Sequence, residues 1–112
     1  MHELALTCAI IDTVEEAANG RRVLRVTLDI GRLSGVMTDA IRFCFNEVAN
    51  GTAAEGAMLD IREIDGRACC RHCGAEFATP DLYTACDCGA LEIERLQGEE
   101  LMIKSIELEE AA

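Results

Sequence analysis

The chain has 112 residues, room for one compact domain and a small subdomain but not for two full cores. Half are hydrophobic, yet there is no Trp, one Tyr and three Phe, so an aliphatic core is expected and a large aromatic binding cleft is not. A formal net charge of −11, from 21 acidic and 10 basic residues, argues against nucleic acid and anionic membranes as partners. Such binding rests on cations that release counterions from phosphate, whereas an acidic surface favours metal cations and basic proteins.

The N-terminal MHELALTCAII has no basic stretch and carries Glu3, unlike a secretory signal. No apolar run approaches the roughly 20 residues of a membrane span. A cytoplasmic protein is the expectation. From about Glu3 to Ala18 the spacing of Leu4, Cys8, Ile11, Val14 and Ala18 predicts an amphipathic helix stopped by Asn19-Gly20. From Val23 to Ile30 the period becomes two, with Leu24, Val26, Leu28 and Ile30 facing a core and Arg25, Thr27 and Asp29 facing water. After a loop over Gly31 to Gly35, Thr38 is placed to cap a second helix ending near Asn50, with Ile41, Cys44, Phe45 and Val48 buried. A strand follows over Met58 to Ile64, then a cysteine-rich insert from about Gly66 to Ala90. Runs over Leu91 to Leu96 and Leu101 to Leu108, joined at Gln97-Gly98, complete the chain, with a bulge or change of partner expected near Lys104-Ser105. These elements make an α+β fold: a small sheet flanked by two helices, with an inserted zinc-ribbon-like subdomain. The expected division is an α/β domain over 1–66, completed by strands within 92–112, and a metal-binding subdomain over 67–91.

Five of the seven cysteines lie within twenty residues: Cys69, Cys70, Cys73, Cys86 and Cys88. Clustering in a reducing compartment points to metal rather than to a disulfide framework. Cys70-Arg71-His72-Cys73-Gly74 has the spacing that turns two sulfurs inward, and zinc favours four thiolates in a tetrahedron. Cys86-Asp87-Cys88-Gly89 leaves one residue between the cysteines, so this pair can share a metal only if the chain turns sharply, which Gly89 permits. Cys69 or His72 could substitute for one ligand. Free buried cysteines, an iron–sulfur cage and a redox dithiol are weaker readings, the last two for want of an aromatic surround and of a strand–helix setting. A closed site of four thiolates has no open position, so it folds the insert rather than catalysing. Cys8 and Cys44 are expected in the core.

Met1-His2-Glu3 offers a second metal site. A bulky second residue protects the initiator methionine, leaving the Met1 α-amine, the His2 amide and the His2 Nδ1 to close fused chelate rings, with the Glu3 amide as a fourth nitrogen. Such a set suits Ni(II) or Cu(II), and nickel is the better fit where copper is reduced to Cu(I), which prefers sulfur. Glu3 has a simpler role available, as an acid at the positive end of the first helix.

Taken together these pieces resemble the HypA/HybF family of hydrogenase maturation nickel metallochaperones. The likeness runs from Met1-His2-Glu3 through Leu28-Asp29-Ile30-Gly31, Phe43-Cys44-Phe45, Ala54-Glu55-Gly56 and the paired cysteines to Gly98-Glu99-Glu100-Leu101 and Ile103-Lys104-Ser105-Ile106-Glu107. The resemblance implies that Met1, His2 and Glu3 carry Ni(II) as cargo and that Cys70, Cys73, Cys86 and Cys88 hold a structural Zn(II). It also implies a partner GTPase, HypB, with which nickel is delivered to the precursor of the [NiFe]-hydrogenase large subunit; in some bacteria the family also supplies urease. A zinc-ribbon interaction or nucleic-acid module without nickel function is the alternative. The acidic residues of the insert region, Glu76, Asp81, Asp87, Glu92 and Glu94, weigh against it. An enzyme is not expected, because two histidines and no nucleophile–base pair leave little to catalyse with.

Overall fold

The computed structural model describes residues 2–110. Its elements are α1 (His2–Ala18), β1 (Val23–Gly31), α2 (Thr38–Ala49), β2 (Met58–Ile64), β3 (Arg67–Cys70), β4 (Glu76–Ala78), β5 (Ile93–Gln97) and β6 (Leu101–Leu108). The strands form two three-stranded sheets, ordered β2-β1-β6 and β4-β3-β5, so the fold is α+β as the sequence implies. Among the described residues no helix is long and apolar enough to cross a membrane. The chain divides into two compact units, one over 2–28, 37–62 and 102–110, the other over Asp29–Val36 and Glu63–Leu101.

In the first unit α1 packs on α2, and the core is aliphatic apart from Phe45: Ile11, Val14, Ala18, Val23, Val26, Leu28, Ile41 and Ala49 are all buried. Asn19 (φ 49) and Gly20 (φ 87) stop α1 in left-handed backbone. The wet face of the sheet is tied by Arg25 of the central strand, which pairs with Asp60 of β2 and, at 3.6 Å, with Glu107 of β6. These exposed pairs fix register more than they add stability. The loop before β2 is closed by Glu15 Oε2 accepting from the Ala53 amide at 3.1 Å and Glu55 Oε1 accepting from the Gly51 amide at 2.9 Å.

Three expectations for the helices are corrected. The buried stripe of α1 begins at Glu3 and Thr7, not at Leu4 and Cys8; Leu4 is half exposed and Cys8 is exposed. The stripe is turned by one residue because both buried polar groups are satisfied: the Thr7 hydroxyl donates to the Glu3 carbonyl at 2.7 Å, and Glu3 finds a partner outside its helix. Cys44 is half-buried. Thr38 does not cap α2, whose N-cap is Met37, with no side-chain cap bond of its own.

The second unit is rooted where glycines let backbones meet. The Gly31 amide donates to the Glu100 carbonyl (2.8 Å) and the Leu33 amide to the Gly98 carbonyl (2.7 Å). A Cβ at Gly31 would stand 1.9 Å from the Gly98 carbonyl oxygen, so only glycine fits this crossing. From this root β3 runs out and pairs antiparallel with β4 on one side and β5 on the other. Strand β5, expected to complete the first sheet, closes the second sheet instead, with Cys70 opposite Ile93. Strand β6 is unbroken and half-buries Ile103, Ile106 and Leu108.

Candidate metal centres

Cys70 is the last residue of β3, and the chain turns back at once: the Gly74 amide donates to the Cys70 carbonyl at 2.9 Å and the Cys70 amide to the Ala75 carbonyl at 2.8 Å. Gly74 takes φ 80, which this reversal needs. The second knuckle is a tight turn, in which the Gly89 amide donates to the Cys86 carbonyl (2.8 Å) and the Cys86 amide to the Ala90 carbonyl (3.2 Å). Cys88 therefore sits inside a turn rather than in extended chain, and the one-residue spacing brings its sulfur into the cluster.

The four sulfurs of Cys70, Cys73, Cys86 and Cys88 lie within 4.8 Å of one another. Cys70 Sγ is 3.7 Å from Cys88 Sγ, and Cys73 Sγ is 3.5 Å from Cys86 Sγ. A tetrahedral zinc with Zn–S bonds of about 2.3 Å requires edges of about 3.8 Å, so the cage fits zinc. Cys70 and Cys86 are buried while Cys73 and Cys88 are exposed. Cys69 lies outside the cluster, its sulfur directed to the Gly74 and Cys70 carbonyls. His72 contributes its backbone amide rather than its ring, donating to Cys70 Sγ at 3.4 Å, as does the Cys73 amide at 3.4 Å.

Those amides give the cage an electrostatic polarity. The Cys73 amide, aided by that of His72 and by the neighbouring thiols, pulls the Cys70 thiol down to about 6, against the pull of burial. At Cys86 the Cys88 amide also acts downward, but burial and the sulfurs of Cys73, Cys88 and Cys70 outweigh it and push the thiol up to about 12. Without metal the cage favours a thiolate at Cys70 cradled by amides and thiols, the arrangement expected of a ligand ready to exchange protons for a cation.

At the other expected site, Met1 lies outside the described residues. His2 is the first residue of α1 and exposed. Glu3 is 9% exposed, and its Oε2 accepts from the Met37 amide at 3.1 Å. That bond, then one from its own backbone amide, holds the Glu3 carboxyl below the usual carboxylate range. Apart from the nickel role given to Glu3, sequence reasoning offered its carboxylate only its own helix to serve. The sign that it serves another lay in α2, whose N-cap Met37 has Ala40 three residues on and so cannot build a local capping box.

Comparison with known proteins gives a consistent result. Residues 1–108 match a family profile described as hydrogenase/urease nickel incorporation, metallochaperone, hypA. The chain is 50% identical over 110 residues to the hydrogenase maturation factor HypA of a Nostoc species, covering 98% of this chain and 97% of that one. It is 46% identical over 110 residues to that of Geobacter metallireducens, covering 97% and 100%. Among solved structures it resembles a HypA protein in solution (TM-score 0.71, 25% identity, 96% of both chains). The Ni metallochaperone HypA from Helicobacter pylori shares the fold (TM-score 0.69, 24% identity, 95% of this chain and 96% of that one).

Proposed function

The chain belongs to the HypA family of hydrogenase/urease nickel-incorporation metallochaperones, and on that premise we propose that it carries Ni(II) at its N-terminus and releases it to a maturing enzyme. The observation that carries this reading is a family match that starts at residue 1, together with an exposed His2 opening α1. Nickel is the cargo, taken by the Met1 α-amine, the His2 amide and imidazole and the Glu3 backbone nitrogen. The leading amides of a helix have no intrahelical acceptor, so a metal that claims them breaks no helical hydrogen bond. His2 is exposed at the start of α1, which favours release by ligand exchange. The receiver is the precursor of the [NiFe]-hydrogenase large subunit, with a HypB-type GTPase as partner in the cytoplasm and urease maturation as a second client.

Cys70, Cys73, Cys86 and Cys88 would hold zinc as a structural ion, its charge satisfied by thiolates with no position left open for substrate. The division of labour is a nickel-binding domain and a zinc subdomain, and the protein acts as a carrier, not an enzyme. The test is nickel titration by calorimetry of the untagged, zinc-loaded protein beside the His2→Ala variant. Stoichiometric binding by the parent and none by the variant, with zinc retained in both, is the expected outcome. Equal binding by the two would refute the N-terminal site.

A further inference from the structure

We infer that the Glu3 side chain is a positioning residue for the nickel site: a latch that fastens the first turn of α1 to the N-cap of α2, rather than a metal ligand. The inference rests on the reading that nickel binds at the N-terminus, and it adds how that terminus is held in shape.

A carboxylate in the first turn of a terminal helix would ordinarily point into water, since charged side chains are rarely buried unless paired. Glu3 is 9% exposed and engages the Met37 amide at 3.1 Å. Met37 is the N-cap of α2 in extended backbone (φ −85, ψ 108), and no side chain of α2 caps that helix end. In a capping box the N-cap amide is satisfied by a Glu or Gln three residues later. Here that position is Ala40, and Glu3 supplies the missing acceptor from another helix. The same residue is held a second time, because the buried Thr7 hydroxyl donates to its carbonyl.

Helix ends fray, and nickel ligands on a fraying end must be ordered when the metal arrives. Two anchors on Glu3 place that ordering one residue from His2 before binding. Recruiting the carboxylate to nickel would strip the Met37 amide of its acceptor, a cost a backbone nitrogen ligand does not incur. Because the Glu3 backbone nitrogen belongs to the proposed nickel site, the anchoring and ligating readings of its side chain must be separated by substitution.

The experiment compares nickel titrations of zinc-loaded parent, Glu3→Gln, Glu3→Asp and Glu3→Ala, with hydrogen exchange at the Met37 amide measured on the nickel-free proteins. Gln keeps a carbonyl oxygen of the same reach, so nickel affinity stays within about threefold of the parent and Met37 stays protected. Asp is a methylene too short and Ala has no acceptor; both expose Met37 and lose about tenfold in affinity, the scale of re-ordering roughly one residue on binding. Equal loss in Gln and Ala would make the carboxylate a ligand and overturn the inference. So would parent-like nickel affinity in Ala. No nickel binding by the parent would instead bring down the N-terminal reading, and this inference with it.

Discussion

Removing zinc from the reduced protein is expected to melt the ribbon while leaving the helical unit folded. Between residues 66 and 92 the buried side chains are those of Ala68, Cys70, Thr79 and Cys86, and two of these are cage ligands. At about 0.8 kcal/mol per methylene-sized group, burial of these four contributes roughly 3 kcal/mol. A structural zinc contributes roughly 10–16 kcal/mol, so an ion bound as proposed would be the dominant stabilising term for this segment. The first unit differs: Ile11, Val14, Val26, Leu28, Ile41 and Phe45 are each no more than 2% exposed, worth roughly 1.5–3 kcal/mol apiece. The assay is a chelator titration under reducing conditions, followed by far-UV circular dichroism for the helices and by NMR for the amides of β3, β4 and β5. The helix signal should persist while ribbon amides collapse toward unfolded shifts, and zinc should restore them. Dispersed ribbon amides in the metal-free, reduced protein would refute the reasoning and show that its hydrogen bonds suffice.

Substitution should define the zinc ligand set: Cys88→Ser loses zinc by metal analysis, whereas Cys69→Ser and His72→Ala retain a full equivalent, since neither side chain joins the cluster. Gly31→Ala should be far more damaging than Gly35→Ala in urea unfolding, because its Cβ would strike the Gly98 carbonyl oxygen at 1.9 Å. Gly35 (φ 78) has nothing within 4 Å and pays only the positive-φ cost, about 1 kcal/mol; similar midpoints for the two variants would contradict this. Glu3, held below its ordinary 4.5, contributes stability that is present above that value and lost as pH falls through its lowered folded pKa. The parent's thermal midpoint should therefore drop more steeply on acidification below 4.5 than that of Glu3→Gln, and parallel curves would remove Glu3 from the account.

Much of this arrangement was legible in the chain. The apolar run of β1, the i, i+3/i+4 spacing of both helices, and glycine or Asn-Gly stops place the first four elements to within a residue or two, although in β1 Leu24 is exposed and Asp29 buried, against the period of two. What escaped depended on partners distant in sequence. Leu4 and Cys8 fit the helical spacing of Ile11 as well as Glu3 and Thr7 do; only the Met37 amide, 34 residues away, makes a buried carboxylate acceptable and turns the stripe. Thr38 has cap chemistry, but the helix takes it as its first residue and Met37 as its cap. In β5 four of five residues are exposed, so no apolar pattern says which sheet it joins. The four cysteines that the spacing groups do cluster, and the one expected with least support, Cys88, is brought in by a turn that Gly89 announces.

The two candidate metal sites fall in different compact units, and their chemistry explains why a single site would not serve. A cage of four thiolates binds tightly, excludes further ligands and releases its ion only by losing folding free energy. That suits a permanent ion and is wrong for cargo. A helix terminus offering amine, amide and imidazole nitrogens is hard enough to prefer nickel over the softer thiolate-seeking ions, and it can be approached by an incoming ligand without unfolding anything. Glu3 reconciles the two demands on that terminus. Its bond to the Met37 amide ties down the residue next to His2 while His2 itself stays exposed, the arrangement that the proposed nickel site requires.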